Sequence, residues 1–372
     1  MARRGSSEGS IYKRRDGYWV AAISIGAGER KVIYGKTRGA VSNRMKMLLG
    51  TQHDGIALRS SDRTTVGAFL TRWIEGMGSH VRGSTHLRYE QLVRVHLVPR
   101  IGKIPLSRLA PSDLSAMYAA MTSEGLAPRT AGHAHRVLGR ALHDAEIDGL
   151  VARNVCRLVR PPRVPHAEMK TLGAEQARAL IEATQNERLG ALWHLALASG
   201  ARLGELLGLT WHAVDVERGT IRITRTLGRT KDGPTFGEPK TSSSRRTIPV
   251  GKAAAAALRR HRAAQEMERR VAGSVWHAGD LVFADEIGRP IDGTHMAHTF
   301  RAVLARANLP RIRVHDLRHT AATLLLEAGL HPRVVAERLG HANPSLVMNT
   351  YGHVTERMQE QATAVLDNVL GF

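Results

Sequence analysis

Three prolines within six residues are the feature that most constrains how this chain folds. They are Pro161, Pro162 and Pro165. The residue before a proline disfavours helix, and the proline itself offers no backbone N–H. This stretch therefore favours a stiff, extended connector over a continued helix. We predict separately folded parts on either side of it, with Arg160 and Arg163 making the connector basic.

The N-terminal part, 1–58, is predicted to be a small sheet with one helix. Alternating apolar residues indicate strands near 11–13, 18–25 and 30–34, and 41–49 has helical character. Basic side chains surround this sheet, and a ribbon of two or three strands fits the DNA major groove. The candidate DNA-binding residues are Lys13, Arg14, Arg15, Arg30, Lys31, Lys36 and Arg38. The alternative is that these charges only solvate a small sheet.

The middle part, 59–160, is predicted to be a helical bundle. Its first apolar stripe repeats at helical spacing and is interpreted as core. The stripe consists of Val66, Phe69, Leu70, Trp73 and Ile74. Pro99, Gly102 and Pro105 interrupt the helical pattern further along, which predicts that a helix ends before them.

The final part, 161–372, is predicted to be mainly helical with a small sheet. Two stretches, 220–224 and 246–250, are typical of strands. Between them lies a polar, glycine-containing stretch that carries Lys231 and Lys240.

Charge points to the class of partner. The 372-residue chain has a formal net charge of +21, a sequence pI near 11.1 and 42% hydrophobic residues. Such an excess of cations favours a polyanion, and nucleic acid leads because phosphate contacts release counterions. A ribosome-like or membrane-surface protein is the alternative. Aromatic residues make up only 4%, which favours duplex DNA over single strands that stack on aromatic side chains.

Cysteine content and hydropathy indicate the compartment. A single cysteine, Cys156, excludes an intramolecular disulfide and fits a reducing cytoplasm. The sequence has no apolar run long enough to span a bilayer, and its N-terminus lacks the apolar core of a signal peptide. We therefore expect a cytoplasmic protein with no membrane partner.

Two histidines of the final part have the spacing of a metal site. His315 and His319 stand four residues apart, as in zinc-binding helices, and His341 could supply a third ligand. The acidic position of that motif holds Asp316 in place of glutamate, and Arg318 would bring a positive charge to the same face. A fixed cation disfavours a neighbouring dication. We expect no metal and keep metal-dependent hydrolysis as an alternative.

A metal-free phosphate site fits the same region better. Arg202 and Arg318 lie in separate segments, and arginine grips phosphate oxygens bidentately with a permanent charge. Such cations stabilise the negative charge that develops on a phosphodiester under attack. A tyrosine can be the nucleophile, although ionising it at pH 7 costs about 4 kcal/mol without nearby positive charge.

Several segments of the final part resemble the catalytic boxes of the tyrosine recombinase, or phage integrase, family. They occur in family order and are jointly specific, although each alone is weak. They are 198–211 with Arg202, 238–246 with Lys240, 314–320 with His315 and Arg318, 339–341 with His341, and 349–353 with Tyr351. Upstream, 96–109 and 145–154 resemble the family's helical core-binding domain, and 9–37 resembles its arm-binding domain.

The resemblance implies a multidomain, mainly α protein with α+β parts. Residues 1–58 would form an arm-type DNA-binding domain with a three-stranded sheet plus a helix. Residues 59–160 would form a helical, SAM-like core-binding domain, and 161–372 a mixed, mainly helical catalytic domain.

The resemblance also implies a role for each matching residue. Tyr351 would attack the phosphorus and form a 3′-phosphotyrosyl link, while Arg202 and Arg318 would clamp the phosphate. Lys240 would protonate the leaving 5′ oxygen, and Lys231 is its rival for that role.

Three further residues complete the implied site. His315 would assist proton transfer at Tyr351, His341 would hydrogen-bond the phosphate, and Glu205 would orient Arg202. Because the phosphotyrosyl link conserves the energy of the broken bond, the reaction needs no ATP, metal or other cofactor.

The implied function is integration or excision of a phage or other mobile element in a bacterial or phage-infected cell. A homotetramer would act on two duplexes through core-type and arm-type sites, with a host DNA-bending protein and an excisionase as accessory partners. A DNA-binding regulator with the same fold but no chemistry, and a type IB topoisomerase, are the alternatives. Apolar residues at helical spacing after Tyr351 predict a C-terminal helix that packs on its own domain or on a neighbouring protomer.

Overall fold

The computed structural model forms two compact units, Met1–His166 and Ala167–Phe372. The residues that it describes are 10–24, 30–42, 44–45, 64–165, 169–231, 233–239, 244–340, 359, 363–364, 366–367 and 369–371.

A three-stranded antiparallel sheet opens the first unit. Its strands, in the order β1-β2-β3, are β1 (Ser10–Lys13), β2 (Trp19–Ser24) and β3 (Arg30–Gly35). Ala21 and Ile33 on one face of the sheet form a small core with Val41 of the following helical segment. The predicted arrangement of three strands and one helix is confirmed.

That helical segment begins earlier than predicted. Residues 38–42 and 44–45 are helical, whereas the sequence pattern started the helix at residue 41. Thr37 accounts for the difference, because its Oγ1 accepts a hydrogen bond from the backbone N of Ala40 at 3.3 Å and so caps the helix start.

Five α-helices lie within 64–165, and the bundle predicted for this part is confirmed. They are α1 (Val66–Gly76), α2 (Gly83–Leu92), α3 (Val98–Ile101), α4 (Pro111–Ser123) and α5 (Pro128–Ile147). The predicted apolar stripe lies on α1, where Val66, Phe69, Leu70 and Ile74 are buried. Thr65 caps α1, since its hydroxyl accepts from the backbone N of Ala68 at 3.2 Å.

The predicted break before Pro99 is wrong. The chain passes from α2 through a π-helical turn, Val93–Leu97, directly into α3, and Pro99 is the second residue of α3. A proline within a helix leaves the carbonyl four residues earlier without its usual donor. Here that carbonyl belongs to Val95, and Arg100 Nη1 donates to it at 3.3 Å. The wider turn and the arginine allow the helical path to continue.

Cys156 is part of the closed core of the helical bundle. It lies in a short 3₁₀ turn, Val155–Leu158, and the preceding Asn154 holds its backbone N at 3.0 Å. Burial raises the pKa of the thiol to about 12. The thiol is therefore protonated and inaccessible at neutral pH.

Seven α-helices lie between residues 169 and 340 of the second unit. They are α6 (Ala174–Thr184), α7 (Gly190–Ser199), α8 (Leu203–Leu207), α9 (Gly251–Ala272), α10 (Gly293–Arg306), α11 (Val314–Glu327) and α12 (Pro332–Leu339). Their apolar faces enclose one core around Trp193 and Phe300, whose ring centroids lie 4.8 Å apart. Among the described helices of the chain, none combines the length and the apolar character needed to cross a membrane.

Five short strands accompany these helices. They are β4 (Val214–Asp215), β5 (Thr220–Ile223), β6 (Thr226–Thr230), β7 (Gly233–Gly237) and β8 (Arg246–Pro249). The two predicted strands are confirmed as β5 and β8, which pair antiparallel, with β4 on the other edge of β5. The β6–β7 hairpin occupies the stretch that the sequence indicated only as polar and glycine-containing.

Candidate active site

The first candidate residue, Arg202, lies between two helices. Helix α7 ends at Ser199 and is capped by Gly200, whose φ of 63° is left-handed, and α8 begins just after Arg202. The backbone N of Arg202 donates to Glu205 Oε2 at 3.0 Å, and its Nη1 donates to Glu205 Oε1 at 2.7 Å. One carboxylate thus caps the start of α8 and holds the Arg202 guanidinium. The side chain of Arg202 remains 37% exposed.

Glu205 is buried between two arginines. Its side chain is 3% exposed, and Arg246 Nη2 of β8 donates to Oε2 at 2.9 Å. Burial raises the pKa of this carboxyl, but the hydrogen bond and charge of Arg246 and the hydrogen bonds from Arg202 outweigh burial and lower the pKa below its ordinary value. Glu205 is therefore ionised at neutral pH and can bind both guanidiniums.

The second candidate arginine, Arg318, is fixed in the protein interior. It lies on α11 and is 2% exposed. Its Nη1 donates to the carbonyl oxygen of Gly200 at 2.9 Å, so this guanidinium reaches the end of α7, two residues before Arg202. A cation at a helix C-terminus is favourable because the last carbonyls carry partial negative charge.

A glycine is needed where these helices meet. A Cβ on Gly200 would lie 2.5 Å from Leu339 Cδ2 of α12 and 3.6 Å from Ala321 Cβ of α11. The left-handed φ also disfavours any residue with a side chain. Gly200 therefore lets α7 approach α11 and α12 closely enough for Arg318 to reach its carbonyl.

Two histidines flank Arg318 along α11. The rings of His315 and His319 meet edge to face, with centroids 4.9 Å apart. His315 is solvent-accessible at the first turn of α11, yet loss of hydration around its ring, followed by the effects of His319 and Arg318, lowers its pKa to about 4. Its imidazole is consequently neutral at pH 7 and able to accept a proton.

The metal alternative finds no support among the residues that the structure describes. Within that part of the chain, no group of three or more His, Cys, Asp or Glu side chains could hold a metal ion. His341, the third ligand of that alternative, lies outside the described residues.

The structure therefore brings Arg202, Glu205 and Arg318 together around Gly200, and it places His315 one turn before Arg318. Three predicted site residues lie outside the described residues, and they are Lys240, His341 and Tyr351. Lys231, the rival of Lys240, is exposed at the tip of the β6–β7 hairpin.

Two arginines near this site were not singled out from the sequence. Arg246 binds Glu205, and Arg338 Nη2 of α12 donates to the carbonyl oxygen of Ala198 at 2.6 Å. The signal for Arg246 was available, because side chains alternate along a strand and Arg246 is in phase with the buried Ile248 of β8. A cation at a core-facing position indicates a buried anionic partner.

The candidate DNA-binding residues of the first unit lie around its sheet. Those described with their side chains are exposed, and they are Lys13, Arg14, Arg15, Lys36 and Arg38. Arg14 pairs with Asp16 at 3.4 Å, and the Arg38 guanidinium lies 6.0 Å from the Trp19 ring centroid. Arg30 and Lys31 belong to β3, but their side chains lie outside the description. Arg160 and Arg163 are exposed in the connector.

Comparison with known families agrees with this arrangement. A profile described as "Phage integrase family" matches residues 170–358, and one described as "Phage integrase, N-terminal SAM-like domain" matches 65–121. The chain belongs to the phage integrase family. The first match spans each of the six residues proposed as catalytic, including the three outside the described residues.

Individual phage integrase relatives match over nearly the whole chain. An integrase of Saccharopolyspora erythraea is 28% identical, with 96% of this chain and 95% of that protein covered. An integrase of Streptomyces ambofaciens is 29% identical, with 99% and 97% covered.

A solved structure shares the fold. The integrase of transposon Tn1549, in complex with a circular intermediate DNA, matches with a TM-score of 0.70 and 25% identity. The match covers 82% of this chain and 99% of that one. The predicted fold class and family membership are thereby confirmed.

Proposed function

We propose that this chain is a site-specific tyrosine recombinase that cuts and rejoins duplex DNA to integrate or excise a phage or other mobile element. The observation that carries the proposal is the hydrogen bond from the buried Arg318 to Gly200 O. This bond holds the Arg318 guanidinium at Gly200, two residues before Arg202. Two cations from distant parts of the sequence that both belong to the turn between α7 and α8, one by contact and one by position, suit a single phosphate.

The first half-reaction is a phosphoryl transfer to Tyr351. Its phenolic oxygen attacks the phosphorus, the bond to the 5′ oxygen breaks, and a 3′-phosphotyrosyl link forms. Arg202 and Arg318 stabilise the charge on the non-bridging oxygens, and Lys240 gives a proton to the leaving 5′ oxygen. In the second half-reaction a 5′ hydroxyl of the partner strand attacks the link and releases the tyrosine.

Proton transfer at the nucleophile falls to His315. Its ring is neutral at pH 7, so an unprotonated ring nitrogen is available for the phenolic proton of Tyr351 as attack proceeds. His341 donates a hydrogen bond to the phosphate, and Glu205 orients Arg202. The covalent link keeps the energy of the broken phosphodiester, so the reaction uses neither ATP nor a metal ion.

The proposed partner is duplex DNA with core-type and arm-type sites. The net charge of +21 and the exposed basic residues around the N-terminal sheet support it, as does the DNA bound to the transposon integrase of similar fold. Arg30, Lys31, Arg160 and Arg163 belong to the same proposal. Four protomers join two duplexes in the bacterial or phage-infected cytoplasm, assisted by a host DNA-bending protein and an excisionase.

A nicked suicide duplex tests this proposal. The nick lets the short 5′ fragment diffuse away, so a recombinase accumulates a covalent protein–DNA band on a denaturing gel. We expect that band with the wild-type chain, in the presence of chelator, and its loss in Tyr351→Phe. A shifted duplex without the band would indicate a DNA-binding regulator, and loss of cleavage in chelator would indicate a metal-dependent hydrolase. Relaxation of supercoiled DNA without exchange between two sites would indicate a topoisomerase.

A further inference from the structure

Arg246 uses all three of its guanidinium nitrogens inside the protein. Nη2 donates to Glu205 Oε2 at 2.9 Å, Nε to the carbonyl oxygen of Arg338 at 2.8 Å, and Nη1 to the carbonyl oxygen of Ser244 at 2.9 Å. Its side chain is only 8% exposed. A guanidinium that is buried and bonded in this way is held in one position.

The acceptors belong to three separate elements of the second unit. Glu205 lies on α8, Arg338 lies near the end of α12, and Ser244 comes just before β8, the strand of Arg246 itself. One side chain therefore ties a strand to the two helices whose ends converge near Gly200. Removal of Arg246 would release all three contacts at once.

We infer that Arg246 is a positioning residue for cleavage, which fixes the Glu205 carboxylate and through it the Arg202 guanidinium. The inference rests on the proposed function, because it assigns Arg246 a part in the chemistry without contact to DNA. Glu205 Oε1 accepts from the Arg202 guanidinium, and Oε2 accepts from both Arg246 and the backbone N of Arg202. Without Arg246, the carboxylate keeps its bonds to Arg202 but loses its buried charged partner, so the position of the partly exposed Arg202 guanidinium is less tightly fixed.

A double-mutant cycle separates positioning from a general loss of stability. We expect Arg246→Ala to slow single-turnover cleavage of the suicide duplex by about 10²-fold, with little change in DNA affinity, since misplacement of a catalytic group by about 1 Å has costs of that order. In an Arg202→Ala background, the same substitution should slow cleavage several-fold less than it does alone, because the group that it positions is already missing.

Arg188 provides the matched control. It also binds a carboxylate and a carbonyl, with Nη2 at 2.8 Å from Glu268 Oε2 and Nη1 at 2.9 Å from Ala284 O. These partners lie outside the candidate site. Arg188→Ala should change cleavage by the same factor whether or not Arg202 is present. The inference is overturned if Arg246→Ala behaves in this additive way.

Chemical rescue provides a second readout, which reports whether cleavage requires the charge and donors of the Arg246 guanidinium. Added guanidinium, at a concentration well below the denaturing range, should restore part of the cleavage rate of Arg246→Ala and none of that of Arg188→Ala. If Arg246→Ala does not fold, Arg246→Lys keeps a positive charge with fewer directed donors and enters the same cycle. Additivity with Arg202→Ala would refute the inference whether or not rescue is seen.

These experiments also distinguish failure of this inference from failure of the proposed function. If the wild-type chain forms no covalent band, the proposed function fails. If the band forms and Arg246→Ala cleaves at the wild-type rate, only the positioning role fails.

Discussion

The two candidate phosphate-binding arginines are held in different ways. Arg318 is almost fully buried and donates to a backbone carbonyl, whereas Arg202 is partly exposed and donates to a carboxylate. Arg318 is therefore also a structural link between α11 and α7. Among the residues that the structure describes, Arg202 makes no such link between helices, and we expect its position and charge to matter mainly for binding the phosphate.

This difference predicts separable effects of substitution. Arg318→Ala removes the donor to Gly200 O and is expected to cost about 1–3 kcal/mol of unfolding free energy. Arg202→Ala is expected to cost less, because its guanidinium is partly solvated. Each variant is expected to slow cleavage by about 10²–10³-fold. Denaturant unfolding and single-turnover cleavage measure the two effects, and equal destabilisation by both would contradict this account.

His315 predicts a pH dependence of stability. Its pKa of about 4 in the folded chain lies below the ordinary value of 6.5, so between these values the unfolded chain binds a proton that the folded chain does not. Stability is therefore lost as the pH falls from about 6.5 to about 4. In His315→Asn, the Tm should fall less than in the wild type over that interval, as followed by thermal melts. A parallel fall in both would argue against a neutral His315.

At the residue scale, the sequence identified the groups with distinctive spacing. Arg202, His315 and Arg318 were predicted because their motifs are ordered along the chain. Arg246 was not predicted, because its phase with the buried Ile248 indicates a buried partner but does not say which residue that partner is. Its acceptor, Glu205, is 41 residues away, and only the fold brings the two together.

Secondary-structure elements differed in how well the sequence predicted them. Strands β5 and β8 were identified because their apolar residues alternate, with Ile221, Ile223 and Ile248 buried on one side. The β6–β7 hairpin has no such alternation, and most of β7 is exposed. The expectation that a proline ends a helix failed at Pro99, because the Arg100 side chain supplies the donor that the proline lacks.

The junction of α7, α11 and α12 predicts a large effect of one added methyl group. Gly200→Ala combines a left-handed φ, which costs about 1–2 kcal/mol, with a contact of 2.5 Å to Leu339. Gly329→Ala, at the end of α11, has a φ of 81° with nothing within 4 Å of the added Cβ and serves as the control. We expect Gly200→Ala to lose more stability in denaturant unfolding than Gly329→Ala and to slow cleavage, because it displaces the acceptor of Arg318. Equal losses would show that packing at Gly200 is unimportant.

For the molecule as a whole, net charge and motif order were the strongest sequence signals. Net charge indicated a nucleic-acid partner, and the order of the motifs indicated the family. The C-terminal residues add a feature relevant to assembly, since Leu366, Val369 and Leu370 are 58%, 75% and 64% exposed. This exposure supports the alternative in which the C-terminal helix packs on a neighbouring protomer.

That alternative predicts a defect in assembly without a defect in chemistry. Leu366→Ser combined with Leu370→Ser should leave cleavage of one suicide duplex unchanged and abolish exchange between two sites. The control is Met267→Ser with Val271→Ser, which removes exposed apolar side chains from α9 and should leave both reactions intact. Sedimentation of the DNA complexes reports the number of protomers, and unchanged exchange in the tail variant would refute the docking.

The single, enclosed thiol of this chain makes it well suited to fluorescence work. Because Cys156 is buried with a pKa of about 12, a maleimide dye at neutral pH will react slowly with the native protein. A cysteine introduced at an exposed position such as Val271 would then carry the label almost alone. Energy transfer between dyes on different protomers could follow synapsis in real time, without first removing a native cysteine.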